Sequence, residues 1–230
     1  MVWWGLRRTD RAVPLPLVGQ CDERRHVLRT DNFLFYTPRI RLDTVVCTAL
    51  ASDPQAQHWL GWGRDNIVAD PETREVLTFL RPGELPAELP AELRDAFDPP
   101  RDGKERLVGV RLDDGRYAAD ITLDTDSGEI GAVFAPHTRG LGLGGELFRA
   151  AARLGHEHCG LPLVRARFEA GNAASARALA GADFNPAGSP FRFTLPAGRA
   201  VHCRWSEHAI AVGTSCCEAG RSTPRTPRLA

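Results

Sequence analysis

A chain of 230 residues, 43% of them hydrophobic, can build one large or two small domains around a proper core. Its 29 basic and 29 acidic residues cancel, which excludes the broad positive field of a general nucleic-acid binder. Every apolar run is too short to cross a bilayer, and the opening Met1 to Leu6 is cut off by Arg7, Arg8 and Asp10, so neither a membrane span nor a signal peptide is expected. Six cysteines (Cys21, Cys47, Cys159, Cys203, Cys216 and Cys217) show no Cys-x-x-Cys spacing, and the cytoplasm is the expected compartment.

Residues 1 to 25 mix Trp3 and Trp4 with arginines and prolines without a period, and read as an extension. His26 to Pro38 reads as a first strand closed by its proline. Helices fit Leu42 to Leu50, Pro54 to Leu60, and Pro71 to about Phe79; Asp53-Pro54 and Asp70-Pro71 each supply an N-cap followed by proline at the first helical position. Trp59 and Trp62 read first as core aromatics, with the wall of a substrate pocket as their other use. Pro82, Pro86, Pro90, Pro99 and Pro100 make residues 82 to 103 a long connection.

A hairpin follows, from Glu105 to Leu112 and from Tyr117 to Leu123, around Asp113-Asp114-Gly115-Arg116. A second turn, Asp124 to Gly128, leads into a strand from Glu129 that ends at Pro136. Next comes a loop with Gly140, Gly142, Gly144 and Gly145, then a helical pattern carried by Leu147, Phe148, Ala151, Ala152 and Leu154. Leu161 to Phe168 reads as a strand, Asn172 to Gly181 as a capped helix, and Phe191 to Trp205 as one or two strands around Pro196-Ala197-Gly198. Beyond Ser206 the composition is that of a disordered tail.

The glycine loop carries the first functional signal. Glycines let the backbone approach a ligand closely, and the N–H groups at the start of the following helix, together with its dipole, attract an anion, above all a phosphate. A Gly-Lys-Ser/Thr does not follow, which disfavours a nucleotide triphosphatase, and the preceding antiparallel hairpin disfavours a dinucleotide-binding site. Gly-x-Ser-x-Gly, the turn of a serine hydrolase, is missing too. His156-Glu157-His158-Cys159 has the composition of a metal site but not the spacing, so no metal is expected.

Two local spellings coincide in order. Arg139-Gly140-Leu141-Gly142-Leu143-Gly144, preceded by Glu129-Ile130-Gly131 and Pro136, is followed by Asn172-x-x-Ser175-x-x-x-Leu179 with Gly181 and Phe184. Together they resemble the GNAT superfamily of N-acetyltransferases, and most of all its ribosomal-protein N-terminal (alanine/serine) acetyltransferase-like branch. The resemblance implies an α/β (α+β) domain over residues 26 to 205, with a mixed, largely antiparallel sheet of six or seven strands flanked by helices. It implies acetyl-CoA as co-substrate and acetyl transfer to a primary amine, on a protein N-terminus or a small molecule, by direct attack in a ternary complex. Arg139, Gly140, Leu141, Gly142, Leu143, Gly144 and Gly145 would hold the coenzyme phosphates. Ala132, Val133 and Phe134 would run beside the pantetheine, with an N–H near Phe134 as oxyanion donor, and Asn172 would contact the pantetheine besides capping its helix.

Ser175 falls on the branch's serine, implied to hydrogen-bond the departing thiol. The sequence departs from the family at the acid and base: Leu179 stands at the tyrosine position, Arg167 where some members place a carboxylate, and Thr194 where others place an acid. Glu129 is the local candidate base, because strand alternation puts it on one face with Gly131 and Val133. The missing acid and base motivate the other reading, a non-catalytic acyl-CoA-binding or sensing module. Oligomeric state, monomer or homodimer, is open.

Overall fold

The computed structural model describes residues 25–63, 67–84 and 103–210; the extension apart from Arg25, most of the proline-rich connection and the chain past 210 lie outside them. Its strands are β1 (Val27–Arg29), β2 (Phe33–Tyr36), β3 (Lys104–Arg111), β4 (Tyr117–Asp124), β5 (Glu129–Phe134), β6 (Leu163–Glu169), β7 (Asn185–Thr194) and β8 (Ala200–Ala209). The helices are α1 (Arg41–Ala51), α2 (Pro54–Leu60), α3 (Pro71–Thr78), α4 (Gly144–Arg153) and α5 (Ala173–Ala180). One eight-stranded sheet results, in the order β1-β2-β3-β4-β5-β6-β8-β7, antiparallel throughout except between β5 and β6.

Two expectations need correcting. The segment expected to be one strand from His26 folds into a hairpin, because the Thr30 N–H bonds back to the Phe33 carbonyl at 2.9 Å and Asp31-Asn32 turn the chain. Thr-Asp-Asn is turn chemistry set between apolar stretches of sequence, and it raises the strand count to eight. At the other end β8 continues through Ser206 to Ala209, paired with β6 as far as Leu163↔Ala209, so the ordered domain passes the boundary expected at 206. Only Val201, Cys203 and Ser206 of its ten residues are buried, so its polar composition resembles a tail.

The sheet has a core on each face. Phe33, Phe35, Ile121 and Ile130 pack under Leu147 and Ala151 of α4. Leu34, Val108 and Val110 pack under Leu42, Val46 and Leu50 of α1. Successive β2 residues therefore point to opposite cores, which is why Phe-Leu-Phe-Tyr shows no polar alternation. The helix ends follow their caps: Asp53 accepts from the Gln55 and Ala56 N–H groups at 3.1 and 2.9 Å, and Asp70 from Thr73 at 2.8 Å. α4 ends in a wider π turn, Leu154–His158.

A buried carboxylate fixes α1 to the sheet. Asp43, 3% exposed, accepts the Tyr117 hydroxyl at 2.6 Å, the Tyr36 hydroxyl at 3.3 Å and the Arg39 N–H at 2.8 Å. Burial first, and the neighbouring Asp43 charge after it, push the Tyr36 phenol far up; Tyr117 rises for the same first reason. Both therefore stay protonated donors. They are the only two tyrosines of the chain, so its tyrosine hydroxyls are consumed in structure.

Candidate active site

The feature that organises the site is a parting of two parallel strands. β5 and β6 pair only at Glu129↔Arg165 and Ile130↔Ala166. Beyond that point β5 stays with β4 up to Ala119↔Phe134, and β6 stays with β8 up to Glu169↔Cys203. Ala135 donates its N–H to Ala118 of the β4 side at 2.8 Å, and alternation then turns the backbone groups of Ala132 and Phe134 away from β4, into the gap. Val133 is different. Its backbone faces β4, and its side chain packs against the α1 core.

The glycine loop and the start of α5 lie at the same end of this gap, following the carboxyl ends of β5 and β6, the position where open α/β sheets hold ligands. The loop's glycines have two jobs. Gly140 and Gly142 sit at φ 78° and 77°, in the left-handed region, and a Cβ on either would meet nothing within 4 Å, so the loop shows bare backbone outward. Gly144 and Gly145 instead let α4 lie close to α5: a Cβ on Gly144 would stand 2.6 Å from the Ala178 Cβ, and one on Gly145 3.0 Å from the Gly181 carbonyl oxygen.

Among the described residues, the first N–H after the loop to find a protein acceptor is that of Leu147, on the Leu143 carbonyl at 3.2 Å. The N–H groups from Gly140 to Glu146, including those of Leu141 and Leu143, form the open anion-attracting set. Glu146, in the first turn of this helix, has both carboxylate oxygens engaged by Asn32, at 2.7 and 2.8 Å. Burial pushes this carboxyl up, but hydrogen bonds from Thr30 and Asn32 outweigh that and hold it below its ordinary value.

Arg139, expected at the phosphates, is engaged elsewhere. Its guanidinium bonds the Phe134 carbonyl at 3.1 and 2.8 Å, Gln55 Oε1 at 3.1 Å and the Asp53 carboxylate. The reason is that Asp53, while capping α2, leaves its charge facing the loop. Arg139 thus works as a strut between the loop and α2, and Phe134 keeps only its N–H for a ligand.

On the other side of the gap, Asn172 is the cap of α5, its Oδ1 accepting the Ser175 N–H at 3.0 Å. Ser175 is half-buried in that first turn, and its hydroxyl has no protein partner among the described residues. It is not among the residues lining the cavity that contains Glu129. The two candidate catalytic groups therefore do not line one common cavity.

The Glu129 cavity, about 460 Å³, lies on the α1 face of the sheet, walled by Trp59 and Trp62, by Phe193 of β7 and by Leu195 and Pro196 of the β7–β8 turn. Both tryptophans thus serve as pocket wall rather than core. Four carboxylates line the cavity: Asp120, Asp124, Glu129 and Glu169. Asp120 is held at both oxygens by Arg106 (2.8 and 2.7 Å), Glu169 at both by Arg199 (3.1 and 2.8 Å), and Asp124 by Ser127 and Lys104. Glu129 alone keeps an uncommitted oxygen: Oε1 faces Arg167 Nη2 at 3.1 Å, and Oε2 has no partner among the described residues.

Sequence reasoning missed three members of this cavity. Arg167 was noted only as a departure, yet it is Glu129's partner. Cys203 and the β7–β8 turn come from a segment outside the two motifs, and nothing local marks them. Burial pushes the Cys203 thiol up, so it stays protonated. His156 contacts the Leu161 carbonyl at 2.6 Å and His208 at 2.9 Å, and among the described residues no group of three or more His, Cys, Asp or Glu is arranged for a metal ion. No helix of the described residues is long and apolar enough to cross a membrane.

Residues 34–185 match the family model of the acetyltransferase (GNAT) domain. No curated protein matches the sequence. Among solved structures, a GNAT-family acetyltransferase from Bacillus anthracis aligns at a TM-score of 0.56 and 14% identity, over 80% of this chain and 98% of its own. The ribosomal-protein-S5-alanine acetyltransferase of Vibrio fischeri aligns at 0.54 and 12%, over 80% and 96%. A GCN5-related N-acetyltransferase from Brucella melitensis aligns at 0.53 and 17%, over 81% and 79%. Those identities speak for the fold, and the family model for the lineage: this chain belongs to the GNAT family of acetyltransferases.

Proposed function

We propose that the protein transfers an acetyl group from acetyl-CoA to a primary amine by direct attack in a ternary complex. The observation that carries this reading is the gap between β5 and β6, which joins a loop of open N–H groups at its end to a cavity holding an uncommitted carboxylate oxygen. The residues present fit the coenzyme. Gly140 to Gly145 would hold its phosphates on backbone N–H groups, and Ala132 and Phe134 offer the gap-facing backbone that an extended amide chain needs. Asn172 supports that wall as the α5 cap.

The coenzyme supplies an activated acetyl thioester; the chain's residues supply the rest. The Phe134 N–H stabilises the oxyanion. Glu129 Oε2 accepts the amine proton, directly or through one water. The Ser175 hydroxyl donates to the departing sulfur from the α5 side. Cys203 takes no part as a nucleophile, since a thiol kept protonated by burial is a poor one. The acceptor is the amine of a protein N-terminus or of a small molecule, and the compartment in this proposal is the cytoplasm.

Coenzyme A release measured with a panel of amines tests the proposal. The expected result is amine-dependent release that Glu129→Gln reduces while acetyl-CoA affinity stays the same. Tight acetyl-CoA binding with no release on any amine would contradict it and leave an acyl-CoA-binding module.

A further inference from the structure

The cavity's polar centre is a matched pair. Glu129 Oε2 and the guanidinium of Arg167 stand side by side, joined through Glu129 Oε1 to Arg167 Nη2 at 3.1 Å. Arg167 is held flat by aromatic rings: its Cζ lies 3.5 Å from the centroid of Phe193 and 5.7 Å from that of Trp205. A stacked guanidinium has its N–H groups along its edges, and the only carboxylate on this one, among the described residues, is the single Glu129 oxygen. The remaining edge presents a planar fork beside a group that accepts an amine proton. Such a fork matches the two oxygens of a carboxylate.

The other cavity charges are already matched. Asp120, Asp124 and Glu169 are each satisfied by their own cations, so the wall lacks the surplus negative charge that a polycationic acceptor would use. Trp59, Trp62 and Leu60 leave an apolar rim around the polar centre.

We infer that the acceptor is a small α-amino acid-like molecule, with its amine at Glu129, its carboxylate on Arg167 and its side chain against the Trp59 and Trp62 wall. This rests on the acetyl-transfer reading, whose residues it shares. Arg167 is then a specificity-determining residue. It selects for the carboxylate and, as a neighbouring cation, favours the neutral form of the amine that reacts. The cavity of about 460 Å³ is of the size that encloses a small ligand.

The experiment compares several amino acids, among them phenylalanine and leucine, with their amides and with the decarboxylated amines, as pH-independent kcat/KM for coenzyme A release. Spermidine and a short peptide complete the panel. Acids are expected to exceed their amides by at least roughly tenfold, the scale of one charge-assisted contact. Arg167→Gln should lower kcat/KM for the acids, through KM, at least roughly tenfold more than for the amides. Amides, spermidine or the peptide equalling or exceeding the acids would overturn the inference, as would an Arg167→Gln effect of equal size on acids and amides. Titration of acids and amides into the coenzyme A complex reads the same preference without turnover. A complete lack of transfer thus overturns the proposed function, while this titration still decides the acceptor class.

Discussion

The two sides of the gap between β5 and β6 are built from different materials. The side proposed for the acetyl donor is backbone: N–H groups of the loop and of Phe134, shaped by Gly140 and Gly142 and braced by close packing of α4 on α5. The side proposed for the acceptor is side chains drawn from α2, β4, β5, β6 and the β7–β8 turn, its charged groups held by ion pairs. Backbone recognition needs a local spelling and tolerates little change at it. Side-chain recognition needs no local spelling and can be changed one residue at a time, so within one fold the donor can stay fixed while the acceptor varies.

This contrast can be broken or sharpened by substitution. The largest effect is expected from Glu129→Gln, which removes the proposed proton acceptor: kcat should fall about 100-fold with acetyl-CoA affinity unchanged. A parallel loss of acetyl-CoA binding would mean the two sides are not separable. Gly142→Glu places a charged side chain at φ 77° in the loop. Strain and repulsion of about 2 kcal/mol should weaken acetyl-CoA binding about 30-fold by calorimetry, with the melting curve still cooperative. Ser175→Ala should lower kcat about tenfold, the worth of one hydrogen bond to a developing charge, and leave both KM values near wild type. An unchanged kcat would reduce Ser175 to a helix residue.

How much of this was legible follows the same division. The hairpin, the glycine loop and the capped helices could be read because turn residues, glycines and Asp-Pro caps act within a few residues of themselves. The loop glycines were identified, but their separate jobs were not, since the approach of Gly144 to Ala178 is a tertiary fact. Arg139 was assigned to phosphate from the motif, whereas Asp53, 86 residues earlier, engages it. Glu129 was found by strand alternation, but what sets it apart from the other cavity carboxylates is that their two oxygens are both engaged, with Arg106, Lys104 and Arg199 from other segments taking part. The Thr30-Asp31-Asn32 turn could have been read; the apolar residues around it masked it.

Smaller effects test the strut between the two sides. Asp53→Ala removes both the α2 cap and the anchor of Arg139 and should cost about 1 kcal/mol of stability. The same carboxyl governs a pH response. Burial pushes Asp53 up, but hydrogen bonds from Arg139 and from the Ala56 and Gln55 amides outweigh it and hold the group below its ordinary value. A carboxyl lowered by folding gives its full stabilisation above its unfolded value of about 4 and loses it as the pH falls through the folded value. Thermal stability should therefore be flat in this respect from neutral pH to about 4 and decline below, less steeply in Asp53→Asn. An equally steep decline in both proteins would show that the strut carries no charge of consequence.

The central claim is that the coenzyme occupies the gap with its phosphates on the loop. Amide hydrogen exchange, with and without coenzyme A, tests it most directly. The account predicts new protection at Phe134 and at Gly140 to Glu146, with little change in α1. Protection absent from these amides at saturating coenzyme A, or confined to another face of the sheet, would contradict it.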